Sequence, residues 1–405
     1  MISDKSKDPT PMKKQIQDGP WIPVRAQMHD HAMTLNEVPA NKYYWDARTF
    51  VETYRAVGTY YGLDIISPHA DIYNFEIEAL GGKMVYSENA MPTIDFREPL
   101  IKQPEDLHKL KTPDFYHDGR MPFPLEIIKL DTEQQNNENE RQTMLIGGFF
   151  CGLFSMAVGM RGYPALIKDM RKRPEFVHEL FSFIIDQVLI PYLKVYKEYC
   201  GISLAFGADA WASVPNLSVP EMKKWVVPYN QQLKSKASEF GVTVATGSGD
   251  YCEENPAKFD AEMVHGALDV QLASGVGNSI FLGMGSWHNL PLEPVLEYMS
   301  RCKARGIDIS IRTGVNANLL RNGPIDRIVN TIKRYIDTFG RQYKMVISLA
   351  NIPADTNPEH VHAAVSAVHT YGRLPIADNL DEIEFKLPER ETFQEWKRKQ
   401  KKNTI

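Results

Sequence analysis

The residue types that could perform acid–base, metal or ring-binding chemistry in this chain recur just past short apolar runs. His69 and Asp71 follow the run 64–67, Phe149 and Cys151 follow 144–148, Asp209 and Trp211 follow 203–206, and Thr246, Ser248, Asp250 and Cys252 follow 242–245. Ser286, Trp287 and His288 come after 280–283, Arg312 closes the run 308–312 with Thr313 beyond it, and Asn351 follows 345–349. Ahead of them all, His29, Asp30 and His31 form an H-D-H triplet.

A carboxylate in a cleft, as Asp71 would be, accepts hydrogen bonds and stabilises positive charge developing on a substrate. The same Asp can instead cap its loop and the helix that follows. Asp209 beside Trp211 is either a pocket-lining group or a hydrogen-bonded loop residue. His29 and His31 are two apart, so in an extended segment both project to one side, a spacing able to chelate a metal or bracket a ligand. Two exposed histidines are the plain alternative. Cys252 with His288, or His265 with Glu262, could complete a mixed oxygen, nitrogen and sulfur set for zinc, although each also suits a packed or surface role.

Such groups work together only if the elements bring them to one place. Eight apolar runs, the seven at 64–67, 144–148, 203–206, 242–245, 280–283, 308–312 and 345–349 plus 268–271, alternate with helical patterns, which is the signature of repeated βα units. Eight units predict a closed parallel (β/α)8 barrel of the TIM type, a single domain over 21–375, with working residues on the loops after the strands. Pro174 opens a long apolar-periodic helix toward Cys200, Ser218 with Glu221 forms a capping box, and Thr356 with Glu359 forms another before the last helix, with Pro358 in its first turn. The stretch 273–279 is too short and glycine-rich for a helix, so one of its flanking strands is out of place. The polar segment 131–142 reads as an exposed insertion, 1–20 as a flexible N-terminal tail, and 376–405 as a charged C-terminal extension whose basic end, 397–402, frays. His360, His362 and His369, on the last helix, read as surface residues away from the barrel mouth.

With 43% hydrophobic and 24% charged residues, the chain can bury a sizeable core, so disorder is not the default. A net charge of −5 without a recurring basic face disfavours nucleic acid. The first residues lack the apolar stretch of a signal peptide and nothing approaches eighteen uninterrupted apolar residues, which predicts a cytoplasmic protein with no membrane association. The four cysteines form no C-x-x-C pair. Gly247 and Gly249 begin a G-x-G-x-x-G that fails at Cys252, and P-loop and H-E-x-x-H motifs are absent.

Three segments carry a resemblance. Ile352, Pro353, Thr356, Pro358, Glu359, Val361, Tyr371 and Gly372, the "E-A-L-G" stretch within 70–92, and the "L-S-x-P-E…P-Y" helix at 215–229 are similar to motifs of the uroporphyrinogen decarboxylase superfamily. The resemblance implies a TIM-type barrel and two chemistries on it: porphyrin decarboxylation, and methyl transfer to or from a corrinoid. The decarboxylases place a His two residues before the Ile-Pro pair and the thiol-directed methyltransferases a zinc-binding Cys; here stands Ala350. Of the arginine-rich motif that receives substrate carboxylates only Arg25 remains, and the H-x-C zinc pair after the fourth strand is missing. What is left resembles the methyltransferases that move a methyl group from a methoxylated aromatic, or similar donor, to cob(I)alamin on a separate corrinoid protein that docks transiently. A decarboxylase-like lyase and a methylcobalamin:thiol methyltransferase are the alternatives.

On that resemblance Asp71, His69 and His31 serve the ether oxygen or a metal, Asp209 and Asp250 position the donor, and Phe149, Trp211 and Trp287 pack its ring, with His29, Arg312 and Asn351 completing the substrate site. Zinc at Cys252 and His288 is the metal alternative, and a homo-oligomer is compatible with the fold. The expected picture is a rim that gathers His69, Asp71, Asp209 and Asp250 around a hollow too poor in guanidinium for a porphyrin.

Overall fold

The computed structural model describes residues 19–137, 147–275, 277–283 and 285–403. Seven parallel strands form the wall: β1 Val24–Ala26, β2 Gly148–Cys151, β3 Leu204–Ala208, β4 Thr243–Thr246, β5 Ser279–Leu282, β6 Ser310–Val315 and β7 Met345–Leu349. Backbone ladders join them in two arcs, β2-β3-β4 and β5-β6-β7-β1. A parallel bridge from Arg25 to Ile65 extends the second arc by the eighth stave. With helices on the outside, this is the α/β barrel of the TIM type.

The staves differ from the expected set at one place. The run 268–271 lies inside a helix, Ala261–Ser274, started by Asp260, whose carboxylate accepts from the backbone N–H groups of Glu262 (2.9 Å) and Met263 (3.1 Å). Four apolar residues carry too little periodicity to separate a buried helix from a buried strand. The missing stave is β1, where three residues with a charged centre, Val-Arg-Ala, leave no apolar run to notice. Helix Ala261–Ser274 and β5, which begins at Ser279, therefore meet at the short, glycine-rich stretch.

The first part of the expected insertion is helical. Pro122–Asn137 is one helix, and Asp131 is buried in it, ion-paired to Arg55 at 2.9 Å; 138–142 lie outside the described residues, as do 1–18 of the tail. The C-terminal extension is docked. Its helix Phe393–Asn403 buries Phe393, Tyr60 donates to the Glu391 carbonyl at 2.8 Å, and Lys397 donates to Asn36 at 2.6 Å.

The outer helices follow their sequence patterns. Ile325–Phe339 buries Ile328, Val329, Ile332, Tyr335, Ile336 and Phe339, a stripe at helical spacing. Pro174–Cys200 is apolar enough by length and composition to cross a bilayer, yet it packs as a core helix with Leu180, Ile184, Val188 and Tyr192 buried. The capping box of Ser218 and Glu221 is formed. In the last helix, Pro358–Tyr371, the cap is Asn357 rather than Thr356: its side chain accepts from the Glu359 N–H at 3.0 Å. Of the histidines of that helix, His360 and His369 are half-buried and His362 is not a surface group. His362 is buried between the rings of Tyr60 (4.6 Å) and Tyr61 (4.9 Å), and His369 contacts Asp64 at 3.0 Å.

Candidate active site

The chain leaves β1 and turns at once into a short helix, α1 His29–Leu35. Residues two apart on a helix point to nearly opposite sides, so the extended-segment pairing of His29 and His31 does not occur. His29 faces the barrel and meets His69 edge to face, ring centroids 5.2 Å apart. His31 faces away: its Nδ1–H donates to the Pro353 carbonyl (3.2 Å), leaving Nε2 to accept from the Tyr61 hydroxyl (2.7 Å). Burial holds both imidazoles down to about 4, so both are neutral at physiological pH.

His69 is fixed from three sides. Its Nδ1–H donates to the Ser67 carbonyl (2.8 Å), its Nε2 accepts from the Gln27 amide (3.3 Å), and its ring stacks on Phe149 at 4.6 Å. Burial, helped by the charges of His29, Arg25 and Arg312, keeps it well below the usual imidazole range. Phe149 lies opposite Phe206 across the β2–β3 ladder, with ring centroids 6.3 Å apart. Arg312 lies opposite Phe281 across β5–β6, its guanidinium 4.1 Å from that ring and 5.8 Å from Phe206. A Cβ on Gly283 would come within 1.6 Å of the Phe281 ring, so a glycine is required for Phe281 to lie as it does. Arg25, on β1, is 9% exposed and its Nε has no hydrogen-bond partner; Nδ1 of His29 has none either. Burial and the charge of Arg25 push Arg312 down to about 9, against the opposing pull of Asp250. The bore thus combines three phenyl faces, two neutral imidazoles and two guanidiniums.

The acidic residues expected on the rim are tied into the wall. Asp71 is 1% exposed, accepts from Asn74 (2.5 Å) and from the Tyr73 N–H (3.1 Å), and has Arg120 at 3.5 Å; burial, opposed by that guanidinium, lifts it to about 6. A void of about 20 Å³ separates it from the outer helices, too small for an organic substrate. Asp209 knots three strand ends: one oxygen accepts from the Ser155 N–H at 2.7 Å, and the other from the Ser248 hydroxyl at 3.0 Å. Asp250 is buried, accepts from the Tyr251 N–H at 2.9 Å, and is the one expected rim carboxylate whose field reaches Arg312.

The remaining expected residues divide similarly. Phe149 and Arg312 line the bore, while Trp211 stacks on Tyr163 (5.1 Å) and Trp287 is buried against Tyr251 (5.8 Å). Asn351, in the left-handed region at φ 48°, is exposed on the loop after β7. Burial and the neighbouring Asp250 push the Cys252 thiol up, and burial with the charge of Arg327 pushes His288 down to about 4. Among the described residues no three His, Cys, Asp or Glu side chains gather with metal-binding spacing, so Cys252 and His288 have no third ligand of that kind beside them. Arg25, Gln27, Phe206 and Phe281 were missing from the expected site. Phe206 and Phe281 are signalled only as aromatic residues inside strands, Arg25 only as the remnant of the arginine-rich motif, and Gln27 by nothing beyond its place just after β1. Outside the bore, a groove of about 900 Å³ runs between α1, the start of the last helix and the C-terminal extension, touching His31, Glu37, Tyr60 and His362.

Comparisons with known proteins agree with this architecture. Residues 13–252, more than half of the chain, match the family described as Uroporphyrinogen decarboxylase (URO-D). A uroporphyrinogen decarboxylase of Syntrophotalea carbinolica is 28% identical over 187 residues, 45% of this chain; the match spans half the length of that relative. A methyltransferase from Methanosarcina mazei has a similar fold, with a TM-score of 0.63 and 16% identity over 86% of this chain and 94% of that one. The chain belongs to the uroporphyrinogen decarboxylase family.

Proposed function

We propose that this protein transfers the methyl group of a methoxylated aromatic to cob(I)alamin carried by a separate corrinoid protein. The observation that carries the reading is the inner lining itself: the rings of Phe149, Phe206 and Phe281, with neutral His29 and His69 beside Phe149, form an aromatic surface of the kind that receives a flat ring. Ala350 leaves the position after β7 without the imidazole of the decarboxylases or the thiolate of the thiol-directed enzymes.

Phenolate is a poor leaving group, so the ether oxygen needs a donor as its bond to the methyl carbon breaks. The corrinoid supplies the two-electron nucleophile for that carbon. The bonding pair stays on oxygen, and a proton then converts it to the phenol. His29, neutral and with an unpartnered nitrogen, can turn an N–H toward that oxygen. His69 cannot donate from Nε2 while its hydrogen is on Nδ1, so it acts as a wall against the ring, held by Ser67 and Phe149. Asp209 and Asp250 keep the strand ends in place. Asp71 and His31, bonded elsewhere, take no direct part.

The test is to mix the protein with its reduced corrinoid partner and a panel of methoxylated aromatics, following loss of cob(I)alamin absorbance. No spectral change with any donor defeats the proposal. Decarboxylation, the activity named for the curated relative, is the second reading and would be seen as CO₂ release from uroporphyrinogen.

A further inference from the structure

We propose that the groove outside the barrel is a second binding site and that it takes a zwitterion, an α-amino acid whose carboxylate meets Thr356, His362 and Arg390 and whose ammonium meets the glutamates of the walls. The site is independent of the methyl-transfer reading. It lies on the side of α1 that carries His31, whereas His29, on the same helix, faces the barrel.

The first argument is two polar atoms that lack partners. Thr356 and His362 are each 3% exposed and both line the groove, and among the described residues neither the Thr356 hydroxyl nor Nε2 of His362 makes a hydrogen bond. A buried donor or acceptor left unpaired is costly, so two of them against one groove of about 900 Å³ mark where the polar end of a ligand belongs. Both can donate to an oxygen: the hydroxyl rotates, and a neutral imidazole carries its proton on either nitrogen. They flank the first turn of the last helix, Pro358–Tyr371, where the helix dipole favours negative charge.

The second argument is how charge is divided along the groove. Burial, and then the positive charge of Arg390, push His362 down to about 4, so the field at the buried end is that of a guanidinium. Glu37, Glu359 and Glu389 stand exposed along the walls. Like Arg390, they form no ion pair among the described residues. A simple anion would enter past three carboxylates, and a simple cation would end against Arg390. A molecule that carries both charges meets each with its opposite, through charge-assisted hydrogen bonds at both ends. The exposed glutamates have the side-chain freedom to reach an ammonium beside the bound carboxylate, while Leu35, Leu387 and Pro388 leave an apolar stretch of wall for the side chain.

The experiment measures the urea midpoint of the purified full chain with each of the standard amino acids, then the calorimetric affinity of the best binder, its amide and its N-acetyl derivative. The amide lacks the negative charge and the acetyl derivative the positive one. At least one amino acid should raise the midpoint, and both derivatives should bind at least about tenfold more weakly, the scale of a lost hydrogen bond to a charged group. Thr356→Val and Arg390→Gln should each weaken the amino acid by about tenfold. Neither side chain makes a hydrogen bond or ion pair among the described residues, so both variants should keep the wild-type midpoint without ligand, which separates lost binding from lost fold. No response to any amino acid, an amide or acetyl derivative that binds as tightly as its parent, or unchanged affinity in both variants overturns the proposal. None of these readouts uses a methyl donor, so this site and the methyl-transfer reading fail separately.

Discussion

Phe281 carries the guanidinium of Arg312 on its ring face, 4.1 Å from the centroid, and the two residues are register partners across the β5–β6 ladder. The contact orients a charge that no carboxylate among the described residues ion-pairs, and a partly desolvated pair of this kind contributes about 0.5–2 kcal/mol. Replacing Phe281 with Leu keeps an apolar side chain and removes the ring's negative face. We expect a loss of about 1–2 kcal/mol in urea unfolding from these magnitudes together with the lost ring packing. A change indistinguishable from zero would mean that the ring does not hold the guanidinium in solution.

The two histidines of α1 should separate cleanly. His29→Ala should lower methyl transfer by about 10²–10³-fold, the range for loss of one preorganised donor, with stability within about 1 kcal/mol of wild type. His31→Ala strands the Tyr61 hydroxyl and the Pro353 carbonyl in a buried site, so it should destabilise by about 1–3 kcal/mol while the folded fraction turns over normally. Turnover and urea midpoints on both variants check this. The reverse pattern would place His31, not His29, at the donor.

Buried carboxyls give the protein an unusual response to acid. Burial lifts Glu76 from 4.5 to about 7 and Asp71 from 3.8 to about 6, so both have folded values above their unfolded ones. The folded state then binds more protons, and the stability these groups contribute is full below about pH 4 and lost as pH rises through 6 to 7. Glu76 accepts from the Cys151 N–H (2.8 Å) through one oxygen and leaves the other unpartnered. Glu76→Gln keeps the acceptor and removes the charge, so it should stabilise by on the order of 1–3 kcal/mol at pH 8 and by little at pH 4.5. Urea unfolding at the two pH values decides it; an equal effect at both would show that Glu76 titrates normally.

Cys252 should be dispensable. Its thiol is pushed toward the protonated form and no metal-binding trio surrounds it among the described residues. Cys252→Ser should keep turnover within about twofold, since a structural thiol, unlike a zinc ligand, tolerates the exchange. Dialysis against a chelator should likewise leave turnover unchanged. A large loss in either assay would restore a metal to the site.

Much of this protein was determined locally and could be read without coordinates. The alternation of apolar runs with helical stripes arises because each βα unit must bury one face, so Ile325–Phe339 and β7 announced the barrel in their own residues. The "I-P-x-x-T-x-P-E" turn and its neighbours marked the family in the same local way. Only the tertiary structure decided which groups meet. Whether His29 or His31 faces the bore depended on one helical turn beginning at His29, and whether 268–271 was helix or strand depended on what packed around it. Arg25 and Arg312 come together because β1 closes against β7, and β7 against β6, across most of the chain's length. Strands in a parallel barrel are covered on both faces, so alternation along Val-Arg-Ala or Ser310–Val315 does not say which side chains point inward. Closure of the sheet sets that direction, and with it the chemistry of the hollow.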